Sequence, residues 1–170
     1  MLFTRIDEQV NPIILKIRIL SVGKTEKGWV GDGLEVYLSR LKKVAPVEWV
    51  ELEASTNPKR QGDEAMKEEG VRILKQCKPG DYLVLLDEHG AEMDSVVFST
   101  WMNKKMVSVQ GDLIFVIGGA FGFHAEVKDK SREIISLSKM TFTHQMVRVF
   151  FAEQLYRAFS ILRNEPYHHS

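Results

Sequence analysis

"LIFVIGG" (residues 113–119) is five consecutive apolar residues followed by two glycines. A run that short and that uniformly apolar fits a strand covered on both faces, since a half-exposed strand alternates apolar with polar. The glycines mark where it stops and turns. "YLVLLD" (residues 82–87) repeats the design and runs into Glu88, His89 and Gly90. Two such strands call for helices above and below them.

The flanking sequence supplies those helices. "KIRILSV" (16–22) alternates as a first strand. Residues 29–44 carry apolar side chains at 30, 34, 37, 38, 41 and 44, which is helical spacing, and Pro46 stops them. Residues 47–52 form a second strand, and "ASTNPKRQGD" (54–63) has loop composition. "EAMKEEGVRILKQC" (64–77) is an amphipathic helix halted by Pro79-Gly80, and another helix spans about 94–107. "FGFHAEVKDKS" (121–131) is a short helix, "EIISLS" (133–138) a fifth strand, and 145–163 a long final helix. The order βαβαβαβαβα predicts an α/β fold, a parallel sheet with helices on both faces. Ligands in such folds sit beyond the carboxyl ends of the strands. Three loops therefore matter: after Asp87, after Ile117 and after Ser138.

The chain has 170 residues and no formal net charge, so it fits one domain without an overall basic footprint. Residues 15–170 are expected to form that domain, with 1–14 as an N-terminal extension. Any nucleic-acid role must rest on a local patch. Cys77 is the single cysteine, which excludes an internal disulfide and a multi-cysteine zinc site, and suits the cytoplasm. No apolar run reaches the roughly 20 residues of a membrane helix. The first residues lack the cleavage site of a signal peptide.

"SVGKT" (21–25) fails as a phosphate-binding loop, because Arg18 stands where the pattern needs glycine. "VIGGAFGFH" (116–124) has the spacing G-G-x-x-G after a buried strand, which serves either close backbone contact with a ligand or a tight turn. In "LLDEHG", Asp87 and Glu88 are helix-capping or solvated residues and His89 a loop residue. The histidines form no HExxH or Cys/His cluster, so no metal is expected.

The final helix gathers Glu153, Arg157 and Ser160 on one stripe, with apolar residues around most of the remainder. An arc that wide exceeds what one sheet face covers, which predicts a homodimer; two layers of the same chain are the other solution. His144 and Arg148 lie one turn apart inside the apolar arc. A buried arginine needs a partner, either a carboxylate or an anionic ligand. Lys139, Arg148, Arg157 and Arg163 outnumber Glu153 and Glu165 after residue 138, and Tyr156 and Tyr167 add aromatic surface. Such a patch suits a single-stranded or flipped nucleotide.

"FVIGGAFGF", "LSKMTFTHQMVRV" and "EQLYRAFSILRNEPYHH" resemble the RlmH family of ribosomal RNA methyltransferases, within the SPOUT superfamily. The resemblance implies S-adenosylmethionine as methyl donor and N3 of a pseudouridine in large-subunit (23S) ribosomal RNA as acceptor. It implies a cytoplasmic homodimer with a C-terminal trefoil knot. Carried over position by position, Leu86, Gly118, Leu137, Ser138, Lys139, Met140, Thr141 and Phe142 form the cofactor pocket. Arg148 and His168 are expected to hold the nucleotide and stabilise its N3 anion. Tyr167 is expected to stack on the base, and His144 is a candidate base catalyst. The partner subunit's Lys16, Arg18, Lys24 and Lys27 would add charge. The family closes with Pro-Tyr-His-Arg, whereas this chain has His169 in place of the arginine. Another RNA substrate, such as tRNA, and a non-catalytic ribosome-binding module are the competing readings.

Overall fold

The computed structural model describes residues 15–55 and 62–168. The expectations for residues 1–14 and for His169 lie outside them. Five strands alternate with five helices: β1 (Ile17–Val22), α1 (Trp29–Leu41), β2 (Val47–Leu52), α2 (Asp63–Lys75), β3 (Tyr82–Glu92), α3 (Ser95–Ser108), β4 (Leu113–Ile117), α4 (Ala125–Lys130), β5 (Glu133–Ser136) and α5 (Met146–Leu162). The sheet is parallel throughout, in the order β2-β1-β4-β3-β5.

Alternation along the buried strands builds two cores. Ile17, Ile19, Val84, Leu86, Leu113, Phe115 and Ile117 face α1, α3 and α5. Leu20, Val22, Leu83, Leu85, Ile114 and Val116 face α2 and α4. All five residues of β4 are buried, as an apolar run covered on both sides requires. Phe115 anchors the first core, its ring 4.8 Å from Phe151 of α5. Burial of such side chains is the main favourable term in folding.

β3 departs from the sequence reading. It continues to Glu92 instead of stopping at Asp87, and the register with β5 shifts between Leu86 and Ala91. Residues 87–90 leave the ladder, and the chain rejoins β5 beyond them. Gly90 makes this possible: a Cβ there would lie 2.6 Å from the Ile135 carbonyl carbon. β5 ends at Ser136, short of the expected Ser138, because the Ser136 hydroxyl donates to the Ser138 carbonyl (2.8 Å) and turns the chain.

α5 lies against both α1 and α3, returning the chain from the β5 edge to the middle of the sheet. One face of it is buried, through Phe151, Ala152, Leu155, Ala158 and Phe159. Phe150 on the opposite flank stays exposed, so a single chain covers only part of the apolar arc. Ser160, on the stripe with Glu153 and Arg157, is buried and donates to the Tyr156 carbonyl (3.0 Å).

Candidate active site

The carboxyl ends of β1, β3, β4 and β5 open into a cleft of about 970 Å³. The three expected loops meet there. β3 contributes Leu86, Asp87, Glu88 and His89; the turn after β4 contributes Gly118 to Phe123; the chain after β5 contributes Leu137, Ser138 and Met140 to Val147. Leu86 lies mid-strand and is nearly buried, while Gly118 is half-buried.

Glycine is required in the β4 turn for two reasons. Gly122 has φ 83°, a left-handed conformation that side chains rarely adopt. A Cβ on Gly119 would lie 2.7 Å from Glu69 Oε2. Glu69 rises from α2 beneath the turn, buried, with Oε1 accepting the Ser55 N–H (3.0 Å). The turn is therefore pressed against a carboxylate, and its backbone forms the cleft wall.

The charged side chains in the cleft are mostly acidic: Glu26, Asp87 and Glu88 against Lys128. Burial pushes the Asp87 carboxyl up, but hydrogen bonds from the His89 backbone (3.0 Å) and ring (2.9 Å), with Lys128 at 3.8 Å, outweigh it. Its net pKa lies below the ordinary carboxylate value. A cleft of this character suits a ligand carrying positive charge and disfavours a polyphosphate.

The loop after β5 is held by short-range contacts. Ser138 Oγ accepts the Met140 N–H (2.9 Å), and the Thr141 hydroxyl donates to the Glu88 carboxylate across the cleft. Phe142 packs on Phe150 of α5, with ring centroids 4.9 Å apart. Of the residues expected to hold the cofactor, Lys139 alone does not line the cleft; its exposed side chain lies 3.8 Å from Glu92.

Arg148 has no exposed surface and does not line the cleft, in contrast to the nucleotide contact expected of it. Its hydrogen-bond partners are three backbone carbonyls and a hydroxyl. Nε donates to the His144 carbonyl (3.0 Å) and one terminal nitrogen to the Val22 carbonyl (2.8 Å). The other donates to the Gly23 carbonyl (3.1 Å) and the Thr25 hydroxyl (2.8 Å). Glu51 stands at 3.8 Å. Burial lowers the Arg148 pKa, opposed by Glu51 and Glu26. Gln145 acts alongside it, accepting the Glu26 N–H (3.0 Å) and donating to the Lys24 carbonyl (2.9 Å). Together they fasten the loop after β1 to the start of α5. His144, between them and the loop after β5, is exposed and lines the cleft.

Tyr167 and His168 do not reach this cleft within one chain. The tail folds back along α5. Tyr167 donates to Glu153 Oε1 (3.1 Å), and its hydroxyl oxygen lies 3.3 Å from that of Tyr37, under the Arg157 guanidinium at 4.8 Å. Burial, then the hydroxyl of Tyr37 and the charge of Glu153, raise its phenol pKa. His168 Nδ1 is 3.4 Å from Arg157. The expected basic segment is also divided. Lys16 pairs with Glu48 (2.6 Å) and Arg18 donates to the Gln76 carbonyl (2.7 Å), at the end of β1 far from the cleft. Lys24 and Lys27 lie at the cleft end. Sequence reasoning missed Trp29 and Phe121, two exposed aromatics in the cleft lining. Trp29 is legible only as the first residue of a helix, and Phe121 only as part of a turn.

A parallel sheet with a ligand cleft built from the loops of β3, β4 and β5 belongs to a known class. Residues 15–168 match the family model described as "Predicted SPOUT methyltransferase", and the chain belongs to that family of methyltransferases. The fold is also that of a solved "Probable Methyltransferase from Bordetella pertussis Tohama I", at a TM-score of 0.56 with 11% identity, covering 86% of this chain and 96% of that one. Within the family it is similar to proteins named "Ribosomal RNA large subunit methyltransferase H". That of Parabacteroides distasonis is 48% identical, covering 91% of this chain and 99% of its own. Those of Pelobacter propionicus and Bacteroides fragilis are 46% and 45% identical, each covering 91% of this chain and 99% or more of their own.

Proposed function

We propose that this methyltransferase uses S-adenosylmethionine to methylate N3 of a pseudouridine in large-subunit ribosomal RNA. The observation that carries the reading is the near-full-length similarity to relatives named for the large-subunit ribosomal RNA. The pseudouridine acceptor follows from the family resemblance of the motifs. A cytoplasmic location accords with it, and no helix among the described residues is long and apolar enough to cross a membrane.

The cleft fits the donor. Its acidic lining suits a sulfonium and an ammonium, and its glycine turn offers backbone to a flat ring. Bound there, the donor supplies a methyl group on a cationic sulfur. Leu86, Gly118 and the Leu137–Phe142 loop would hold it and exclude water, with Lys139 contributing backbone. Among the described residues no group of side chains could hold a metal ion. The N3 imide is acidic enough that a weak base in place suffices, and we assign that proton to His144, which lines the cleft. Arg148 serves by fixing the loop beside it.

The working unit we infer is a homodimer with a C-terminal knot. Tyr167 and His168 lie away from their own cleft, on the α1–α5 surface where Val36 and Phe150 are exposed. A second copy seated there would bring them to its own cleft to grip the nucleotide. The register shift between β3 and β5 at residues 87–90, and the contact of α5 with both α1 and α3, support the knot.

A methyl-transfer assay on ribosomes, isolated subunits, free ribosomal RNA and tRNA, with the product nucleoside mapped by mass spectrometry, tests the reading. N3-methylpseudouridine in large-subunit RNA is expected. Methyl groups only on tRNA, or no transfer, would overturn it. Mixed dimers of a cleft variant and a tail variant should regain activity if the site is shared.

A further inference from the structure

Trp29 is the first residue of α1 and 67% exposed, yet it lines the cofactor cleft. A large aromatic left open to water at a ligand site calls for an occupant. Three features around it point to one kind. First, Lys24 and Lys27 stand on the same loop, exposed, and neither is in an ion pair among the described residues. Second, this loop is held more firmly than a surface connection requires. Gln145 and Arg148 make five hydrogen bonds to residues 22–26, from the stretch that also carries His144 and follows the cofactor loop. The position of Trp29 relative to the cleft is thereby fixed from the α5 side. Third, Tyr167, expected from the resemblance to stack on the base, has its face covered by Arg157 and packs against Tyr156, with ring centroids 4.9 Å apart.

We infer that Trp29, with Lys24 and Lys27 on the loop that leads into it, is the stacking platform for the single-stranded RNA at the acceptor nucleotide. An indole face with cations on the adjoining loop is the chemistry that grips an unpaired base and its phosphates. It also divides the labour in the cleft: the acidic interior takes the cationic donor, and the rim after β1 takes the anionic strand. Arg148 and Gln145 are positioning residues for that platform. This inference rests on the RNA methyltransferase reading.

The test measures steady-state methylation of ribosomal RNA by the full chain and by Trp29→Ala, Trp29→Phe and Lys24→Ala/Lys27→Ala. Calorimetry with S-adenosylmethionine and sedimentation of each variant accompany it. Trp29→Ala should raise KM for RNA about tenfold to a hundredfold, the range for losing one base–aromatic stack, with donor affinity within about twofold. Trp29→Phe should recover most of that loss. The double lysine variant should raise KM and flatten its salt dependence. An unchanged KM in Trp29→Ala would overturn the assignment. So would its dissociation into monomers, which would make Trp29 an interface residue. If the wild-type chain itself transfers no methyl to RNA, the functional reading fails instead, which is a separate outcome.

Discussion

Replacing Arg148 asks whether it is a structural bolt or a contact for substrate. The guanidinium is wholly buried and satisfies the carbonyls of Val22, Gly23 and His144 and the Thr25 hydroxyl. Arg148→Met keeps most of the apolar stem and removes the donors. Several acceptors then lose their partners, at about 1–3 kcal/mol for each that water cannot reach. The Glu51 pair, at 3.8 Å with Glu51 39% exposed, adds little. Water entry at the Thr25 end will recover part, leaving a net loss of about 3–5 kcal/mol, the size seen when one partner of a buried charged cluster is removed. For a domain of this size that lowers Tm by roughly 6–20 °C. Urea unfolding followed by circular dichroism reads it, at one fixed protein concentration because self-association would make stability concentration-dependent. Arg148→Lys keeps the charge but offers only a single point of donors, and should recover less than half. If Arg148→Met unfolds within about 1 kcal/mol of wild type while methylation collapses, Arg148 acts on substrate and the bolt is wrong.

Three further outcomes follow from single residues. Gly90→Ala forces a Cβ to within 2.6–2.7 Å of the Ile134 and Ile135 backbone, so β3 must lift from β5; a stability loss of about 1–3 kcal/mol in urea is expected, and none would mean the bulge is not held against β5. Gly119→Ala drives a methyl into Glu69 Oε2 at 2.7 Å and should weaken S-adenosylmethionine binding by calorimetry, with partial recovery in Gly119→Ala/Glu69→Ala; unaltered binding would remove the glycine turn from the pocket. Glu133 is pushed up by burial but brought below its ordinary value by Lys105, Tyr82 and Trp101, so its stabilisation is present above the ordinary carboxylate pKa and lost as pH falls through the depressed one. Lys105 shifts upward, because Glu133 and Tyr82 outweigh its burial; its contribution is full below the ordinary amine pKa and lost as pH rises through the raised one. Glu133→Gln should therefore flatten the stability profile at both extremes, and an unchanged acid slope would show that other carboxylates set it.

The sheet was legible because the first half of β3, residues 82–86, and all of β4 are apolar without interruption, a pattern that burial on both faces explains. Strand order was not, since two equally apolar strands carry no mark of which one sits between β1 and the other. The second half of β3 was hidden by its own bulge: Asp87, Glu88, His89 and Gly90 have turn composition, and a strand that resumes after a turn looks like a loop. The β3, β4 and β5 loops of the cleft were found by a rule about strand ends that needs no knowledge of order. The loop after β1 was missed because its motif was weighed as a phosphate loop and then set aside.

That loop shows where side-chain patterns stop being informative. Helical spacing placed Arg148 among buried positions, and solvation demanded a partner, so a carboxylate or a ligand was the natural expectation. The partners are mostly backbone carbonyls at residues 22, 23 and 144, which every residue type possesses and no sequence pattern marks. The same holds for the cleft wall, where the Gly118–Gly119 turn and the loop after β5 line the cleft. A cleft walled by turns need not display a catalytic-looking set of side chains. What sequence can reveal in such a site is the residue that permits the backbone to be there. Gly90 against β5 and Gly119 against Glu69 are those residues, and each fails by a sub-3 Å contact if it acquires a side chain. Their substitution therefore probes the architecture of the site more directly than removal of its histidines.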